Sequence, residues 1–399
     1  MSSTAATALH HLDDEHAGPE FSLTRGGPTY RILRRLGIVR GDDRDALRQW
    51  LACIAVTCVP LWPLLIWDRA TSTSFTSWEL LAFHARFFVA LPMLFAAERL
   101  LEYRCRAAMH RFTSGDFADA SAGVARIMGV AERLRDSGRA ELILLAIMVV
   151  NRLAVVNVTG HLTVLQRNDT AHGLSLAVVW FALVCLPLFN FLLARWLWRW
   201  LIWAVLLWRL ARLHLRLMAT HPDHAGGIAF LAHPTHAMAT LLCGLTGLLA
   251  VSWAHDRMTG HLPDGMLLVH ATVLVLFGAI VALGPLLPFT PDLLKARFDA
   301  MYQYSGFALS YTRAFHNRWI DGKPREEVLG SADIQSLNDL IGSVESIQSM
   351  RVTAFGREHV IVLVAAILLP LVPVPLITAN LSLQQLLQRL AGVVFAGFL

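Results

Sequence analysis

The densest group of ligand-type side chains lies in RLHLRLMATHPDHAGGIAFLAHPTH, where His221, Asp223, His224, His233 and His236 fall within sixteen residues. Imidazole and carboxylate are ligands for zinc and similar metals, so this spacing raises a metal site and, with it, a metal-dependent hydrolase. The same residues also suit a structural turn. Thr220 or Asp223 can cap it, Pro222 fixes its backbone, and Gly226 and Gly227 permit positive φ or a close approach of helices. The glycine pair could equally cradle an anion with backbone N–H groups.

A second group is defined by depth. Arg86 and Arg152 each lie about seven residues inside the outer end of an apolar segment, on the order of 10 Å below the surface at 1.5 Å per residue. Asn151, His84, His270 and Asn157 fall at a similar level, while the apolar cores carry no Asp or Glu. Glu98 and Glu141 sit at the inner ends, too far away to neutralise that layer. A cation at such depth is costly and needs a partner. Three arrangements answer that need: snorkelling to headgroups, pairing with carbonyls and amides of neighbouring helices, or holding a small anion in an outer vestibule. The histidines add a proton relay as a further use.

These residues belong to an unusually apolar chain of 399 residues, 55% hydrophobic and 16% charged, with a mean hydropathy of +0.52. Soluble domains carry about a quarter charged residues, so the composition implies an all-α, polytopic membrane protein. Seven spans are expected, at about 50–67, 79–97, 140–159, 174–194, 237–255, 265–288 and 359–378, each close to the ~20 residues that cross a bilayer as a helix. No signal peptide precedes them in the first 49 residues, which form a partly disordered N-terminal segment. Five cysteines, Cys53, Cys58, Cys105, Cys185 and Cys243, form no CxxC pair, which argues against zinc ribbons, iron–sulfur ligation and a disulfide-stapled module. Nor is there a P-loop, GxGxxG or GxSxG motif.

Arginine placement sets the orientation. Eight basic residues separate spans 2 and 3, five separate spans 4 and 5, and eight separate spans 6 and 7, against one apiece in the opposite connections (Arg69, Arg167, Arg257). Basic loops stay inside, so the N-terminus is expected in the cytoplasm and the C-terminus in the periplasm. An eighth span in the C-terminal tail would reverse the latter. The net charge of +5 is thereby a topology signal, and nucleic acid is not an expected partner. The inner connections 98–139, 195–236 and 289–358 read as helical insertions that pack into one cytoplasmic subdomain. In the second of these, Arg195, Trp196, Arg199 and Trp200 have the composition of an interfacial belt, rings at headgroup depth and guanidiniums toward acidic lipid phosphates.

The run THPDHAGGIAFL at 220–231, after its Trp/Arg-rich segment, and SADIQSLNDL at 331–340 resemble a family of polytopic bacterial inner-membrane proteins with no assigned activity. The likeness runs from span 2 onward. It implies a bacterial inner-membrane location and supplies no site residue. From the residues themselves, the leading expectation is a channel or transporter that takes a small anion through the outer vestibule. A membrane-embedded metal-dependent hydrolase using the histidine cluster and a non-catalytic scaffold or sensor, alone or as a homo-oligomer, are the alternatives.

Overall fold

In a computed structural model, residues 21–42, 44–70, 77–114, 121–158, 176–321 and 332–378 are described, and among them the chain is helical with no strand. The helices are α1 (Gly27–Arg35), α2 (Asp45–Ala70), α3 (Ser77–His84), α4 (Leu91–Ser114), α5 (Ser121–Arg135), α6 (Gly138–Val158), α7 (Leu176–Trp180), α8 (Leu186–Leu210), α9 (Thr235–Met258), α10 (Asp264–Leu283), α11 (Thr290–Trp319), α12 (Ala332–Ser349), α13 (Arg357–Leu368) and α14 (Pro373–Thr378). Six stretches among the described residues are long and apolar enough to cross a bilayer: Asp45–Trp67, Leu80–Ser114, Phe181–Leu210, Ala229–Met258, Gly265–Trp319 and Arg357–Pro375. They coincide with six of the seven expected spans. The remaining one, 140–159, falls on α6, a 21-residue helix whose outer side chains lie outside the described residues. The C-terminal tail lies outside them as well.

α9 is the hub of the bundle. It packs against α4 and α13 along most of its length and against α10 and α14 at one end. Gly244 permits the closest of these crossings, because a Cβ there would stand 2.7 Å from Met93 and 3.2 Å from the Ala90 backbone. α8 packs against α5, α6 and α4 on the other side of the bundle. Outward-facing Leu, Ile, Val and Phe side chains along α10 and α13, among them Leu268, Ile280 and Ile361, are exposed, as expected of surfaces that meet lipid tails. The protein is an integral, multi-pass membrane protein.

Prolines shape the spans. Pro92 and Pro187 have no N–H for the carbonyl four residues back, and each follows a π-helical stretch, Ala85–Ala90 before α4 and Phe181–Cys185 before α8. Leu91 N–H reaches back to Arg86 O and Leu186 N–H to Phe181 O, five residues away in each case. The Phe87 carbonyl is left without its usual partner, and Trp50 Nε1 donates to it at 3.0 Å. The same logic operates at Pro285, which cannot donate to Val281 O; Trp200 Nε1 does so at 2.9 Å.

The residues just before α1 are built into the bundle. Phe21, Ser22, Leu23 and Thr24 are buried. Glu102 of α4 accepts from Leu23 N (3.0 Å), Thr24 N (2.8 Å) and Thr24 Oγ1 (3.0 Å). Arg135 donates to Ser22 O at 2.6 Å, and Arg199 of α8 donates to Thr24 O at 2.8 Å. α1 follows, with its first amides on Asp136 and Glu141. Arg135 and then the Gly27 amide hold the Asp136 carboxyl below the usual carboxylate range. Extended backbone in such a place needs all its polar groups satisfied, and these side chains supply the partners. Residues 21–25 are thus part of the bundle and not a segment apart from it.

Beside this strap lies Glu98. It pairs with Arg195 (3.2 Å) and closely with Arg199, whose residues are 2% and 3% exposed. Glu98→Gln would leave two buried guanidiniums without a counter-charge. The expected cost is about 3–5 kcal/mol, seen as a lowered unfolding midpoint of the purified protein in detergent, and an unaltered midpoint would refute it.

Candidate functional site

The Arg86 guanidinium of the first π stretch stands 5.7 Å from the ring centroids of both Phe181 and Phe189. Both separations are within cation–π range. Phe181 opens the second π stretch, so the two irregular segments face each other through this side chain. Among the described residues Arg86 makes no hydrogen bond or ion pair, and it is only partly buried. Counting at 1.5 Å per residue, it lies roughly 18 Å from the level of Glu98, deep in the apolar part of the bundle. Cys185 and Cys58 are buried nearby, with Cys185 Sγ 3.8 Å from Thr57 O.

Of the other residues expected in the outer layer, His84 and His270 are described, and each packs away from Arg86. His84 turns to α2, with its ring 5.7 Å from Trp62 and stacked on Phe88, and its Nδ1 is 2.6 Å from Leu80 O. His270 of α10 stacks on Trp253 of α9, on another side of the bundle. Asn151 and Arg152 belong to α6, which packs against α8 as the second π stretch does, but their side chains lie outside the described residues. Arg86 is therefore the one member of the layer whose side chain the described structure places as a free cation.

Arg195, Trp196, Arg199 and Trp200, expected at headgroups, are all buried. The reason is Glu98. Arg195 and Arg199 are one helical turn apart on the face of α8 that meets α4, and a carboxylate at their level holds them inward. Trp196 and Trp200 stack at 6.0 Å on the same side. Trp208, which is exposed, carries Arg212 over its ring at 3.6 Å instead.

The HPDHAGG segment is a tight turn centred on Asp223. Its Oδ1 accepts from Ala225 N (2.9 Å) and Gly227 N (3.0 Å), and its Oδ2 from Ala229 N (3.0 Å). His221 Nδ1 lies 2.9 Å from Oδ1. Burial pushes the Asp223 carboxyl up, but the three amides and His221 outweigh it and hold the group below its ordinary value. His224 has φ of 52°, Gly226 66° and Gly227 96°; a Cβ at Gly226 would come within 3.1 Å of Leu217. The turn is a latch for α12 and the chain after it. Arg351 donates to Asp223 O (2.9 Å), and its amide to His224 O (2.7 Å), while Ser349 Oγ meets His224 Nδ1 at 3.0 Å.

The Asp223 carboxylate serves three backbone amides and His221, and His224 Nδ1 meets Ser349 Oγ. Among the described residues no group of three His, Cys, Asp or Glu side chains gathers to hold a metal ion. His233 and His236 belong to a different assembly with His359 at the start of α13. Ring centroids are 6.5 Å apart for His233–His236, 6.2 Å for His233–His359 and 5.2 Å for His236–His359. His359 lies over a hundred residues away in sequence, next to Glu358, with no ligand-type spacing to announce it.

No protein family, curated protein or solved structure matches the chain.

Asp223 has a lowered value in the folded protein, so its contribution is complete above the unfolded value near 3.9 and fades as pH falls through the folded value. Acidification below the ordinary carboxylate range is expected to open the turn, read as loss of hydrogen-exchange protection at Ala225, Gly227 and Ala229. Asp223→Asn at neutral pH should cost about 1–3 kcal/mol in the same assay. Unchanged protection in that variant would show that the latch does not depend on the carboxylate.

Proposed function

We propose that the protein is a channel or transporter of the bacterial inner membrane through which a small anion passes, with Arg86 as its site in the apolar part of the bundle. The single observation behind this reading is a partly accessible guanidinium at that depth which has aromatic faces but no carboxylate among the described residues. Membrane proteins keep such a cation where it serves a pathway or meets a ligand of opposite sign. The facing π stretches add a reason of their own. Their turns are wider than the helix around them, expose carbonyls and can close back to α-helical geometry, which is how such irregularities serve functional sites. An anion entering beside Phe181 and Phe189 would meet Arg86 first. Snorkelling is disfavoured by the inward position of its guanidinium between two phenylalanines.

In this reading the arginine-rich end of the bundle faces the cytoplasm and the apolar helices contact lipid tails. A second reading, a scaffold whose inner helices dock another protein, draws on α11, where Phe298, Tyr302 (85% exposed) and Leu309 stand on one exposed face. The hydrolase reading draws no support from the turn, where the Asp223 carboxylate serves backbone amides.

Reconstituted in liposomes, the protein is expected to pass chloride, with Arg86→Gln and Arg86→Leu lowering the flux by about tenfold or more and Arg86→Lys retaining part of it. Equal flux from wild type and both neutral variants would remove the proposal.

A further inference from the structure

At the arginine-rich end of the bundle α4, α9 and α13 come together, with α9 between the other two. The starts of α9 and α13, 24 and 12 residues long, meet there, and each presents the positive end of its helix dipole. The triad of His233, His236 and His359 occupies this junction. His359 is 6% exposed, and its Nε2 is fully buried without a hydrogen-bond partner. Arg104 of α4, whose guanidinium stands 5.8 Å from the Tyr103 ring centroid, also has a buried Nε without a partner. Arg104 and Arg111 stand within electrostatic reach of His233. The charged groups facing His359 are His236, His233, Arg351 and Glu358, and Glu358 is an exposed carboxylate already paired with Arg351 at 3.1 Å. Two buried donors without acceptors, in a setting of imidazoles and guanidiniums, are a cost that an acceptor ligand would remove.

Hydrogen bonding on the opposite side of each ring decides between an anion and a metal. The Gly356 amide donates to His359 Nδ1 at 3.3 Å. A neutral ring that accepts at Nδ1 carries its proton at Nε2, so the buried atom is a donor and has no lone pair for a metal. When the ring is protonated, Nδ1–H turns to Glu358 Oε1, 3.2 Å away, and Nε2–H remains a donor. His236 Nδ1 donates to His233 O at 2.9 Å, so its Nε2 becomes a donor only on protonation. His233 and His236 are half-buried and leave the cluster open to solvent.

We propose that this junction is a binding site for a phosphoryl anion, either free phosphate or the phosphomonoester end of a lipid headgroup. His359 Nε2–H and Arg104 are the standing donors, and His236 and His233 join when protonated. The site does not rest on the Arg86 reading. Guanidinium and imidazolium groups around one oxyanion make charge-assisted hydrogen bonds, and their number grows as imidazoles take up protons.

The test uses the full chain in phosphatidylcholine nanodiscs, titrated calorimetrically with inorganic phosphate. Arg104→Gln and His359→Gln are each expected to weaken phosphate binding at least about tenfold. A parallel arm compares the unfolding midpoint in discs with and without phosphatidic acid. A shift abolished by Arg104→Gln identifies a headgroup, and binding of free phosphate identifies a soluble anion; either supports the site. Arg104 lies nearer solvent than His359, so its variant keeps the test decisive where His359→Gln unfolds, with folding judged by helical circular dichroism. Absence of binding in both arms, wild-type binding by both glutamine variants, or binding of zinc in place of phosphate would each overturn the proposal. Chloride flux through Arg86 variants is read separately, so failure of one reading leaves the other standing.

Discussion

Glu98 ties together parts of the chain that are otherwise far apart. Its carboxylate faces two guanidiniums of α8, and one of them, Arg199, also donates to Thr24 O in the strap before α1. Removing a carboxylate and two guanidiniums from water costs several kcal/mol per ion, and their attraction offsets it only when the remaining donors are satisfied. The strap carbonyl satisfies one. One turn along α4, Glu102 receives the strap's amides, so two acidic residues in adjacent turns fix the approach of α8 and the path of residues 21–25 together. The α4–α8 crossing and the path of the strap thus share one charge cluster, while α1 is docked separately through Asp136 and Glu141.

The same end of the bundle carries the Asp223 latch and the histidine junction, and all three solve one problem in different ways. Helix starts and extended backbone must have partners wherever they are buried. Around the strap, Glu102 and Arg135 provide them; in the turn, Asp223 takes three amides on two oxygens. At the histidine junction provision stops short, leaving His359 Nε2 and Arg104 Nε unmatched.

Much of the architecture was legible in the sequence because a bilayer permits few solutions. Twenty apolar residues must form a helix, and six expected spans coincide with apolar helices of the structure. The turn reading of Asp223, Gly226 and Gly227 was also available from residue type, since only particular residues accept those dihedrals. What stayed hidden depended on partners distant in sequence. Arg195 and Arg199 have the composition of a headgroup belt, and only Glu98, about a hundred residues earlier, turns them inward. His359 had no local signal for the same reason. The π stretches, by contrast, were marked in the sequence: Pro92 and Pro187 each sit inside an apolar span, where the lost N–H must be compensated, and the π stretches do so beside Arg86.

That last relation bears on how a cation can stay at such depth. Because Pro92 has no N–H, a straight α-helix here would still leave a carbonyl near Arg86 without its partner. The wide turns redirect the backbone so that Phe181 and Phe189 present ring faces, and they release Phe87 O to Trp50 on α2. Aromatic faces stabilise the charge without neutralising it, unlike the carboxylate that holds Arg195 and Arg199. The two arginine environments therefore differ in kind. Near Glu98 the charge is consumed by structure, whereas at the π stretches it remains available, and an anion is the species whose binding such a residual positive field favours.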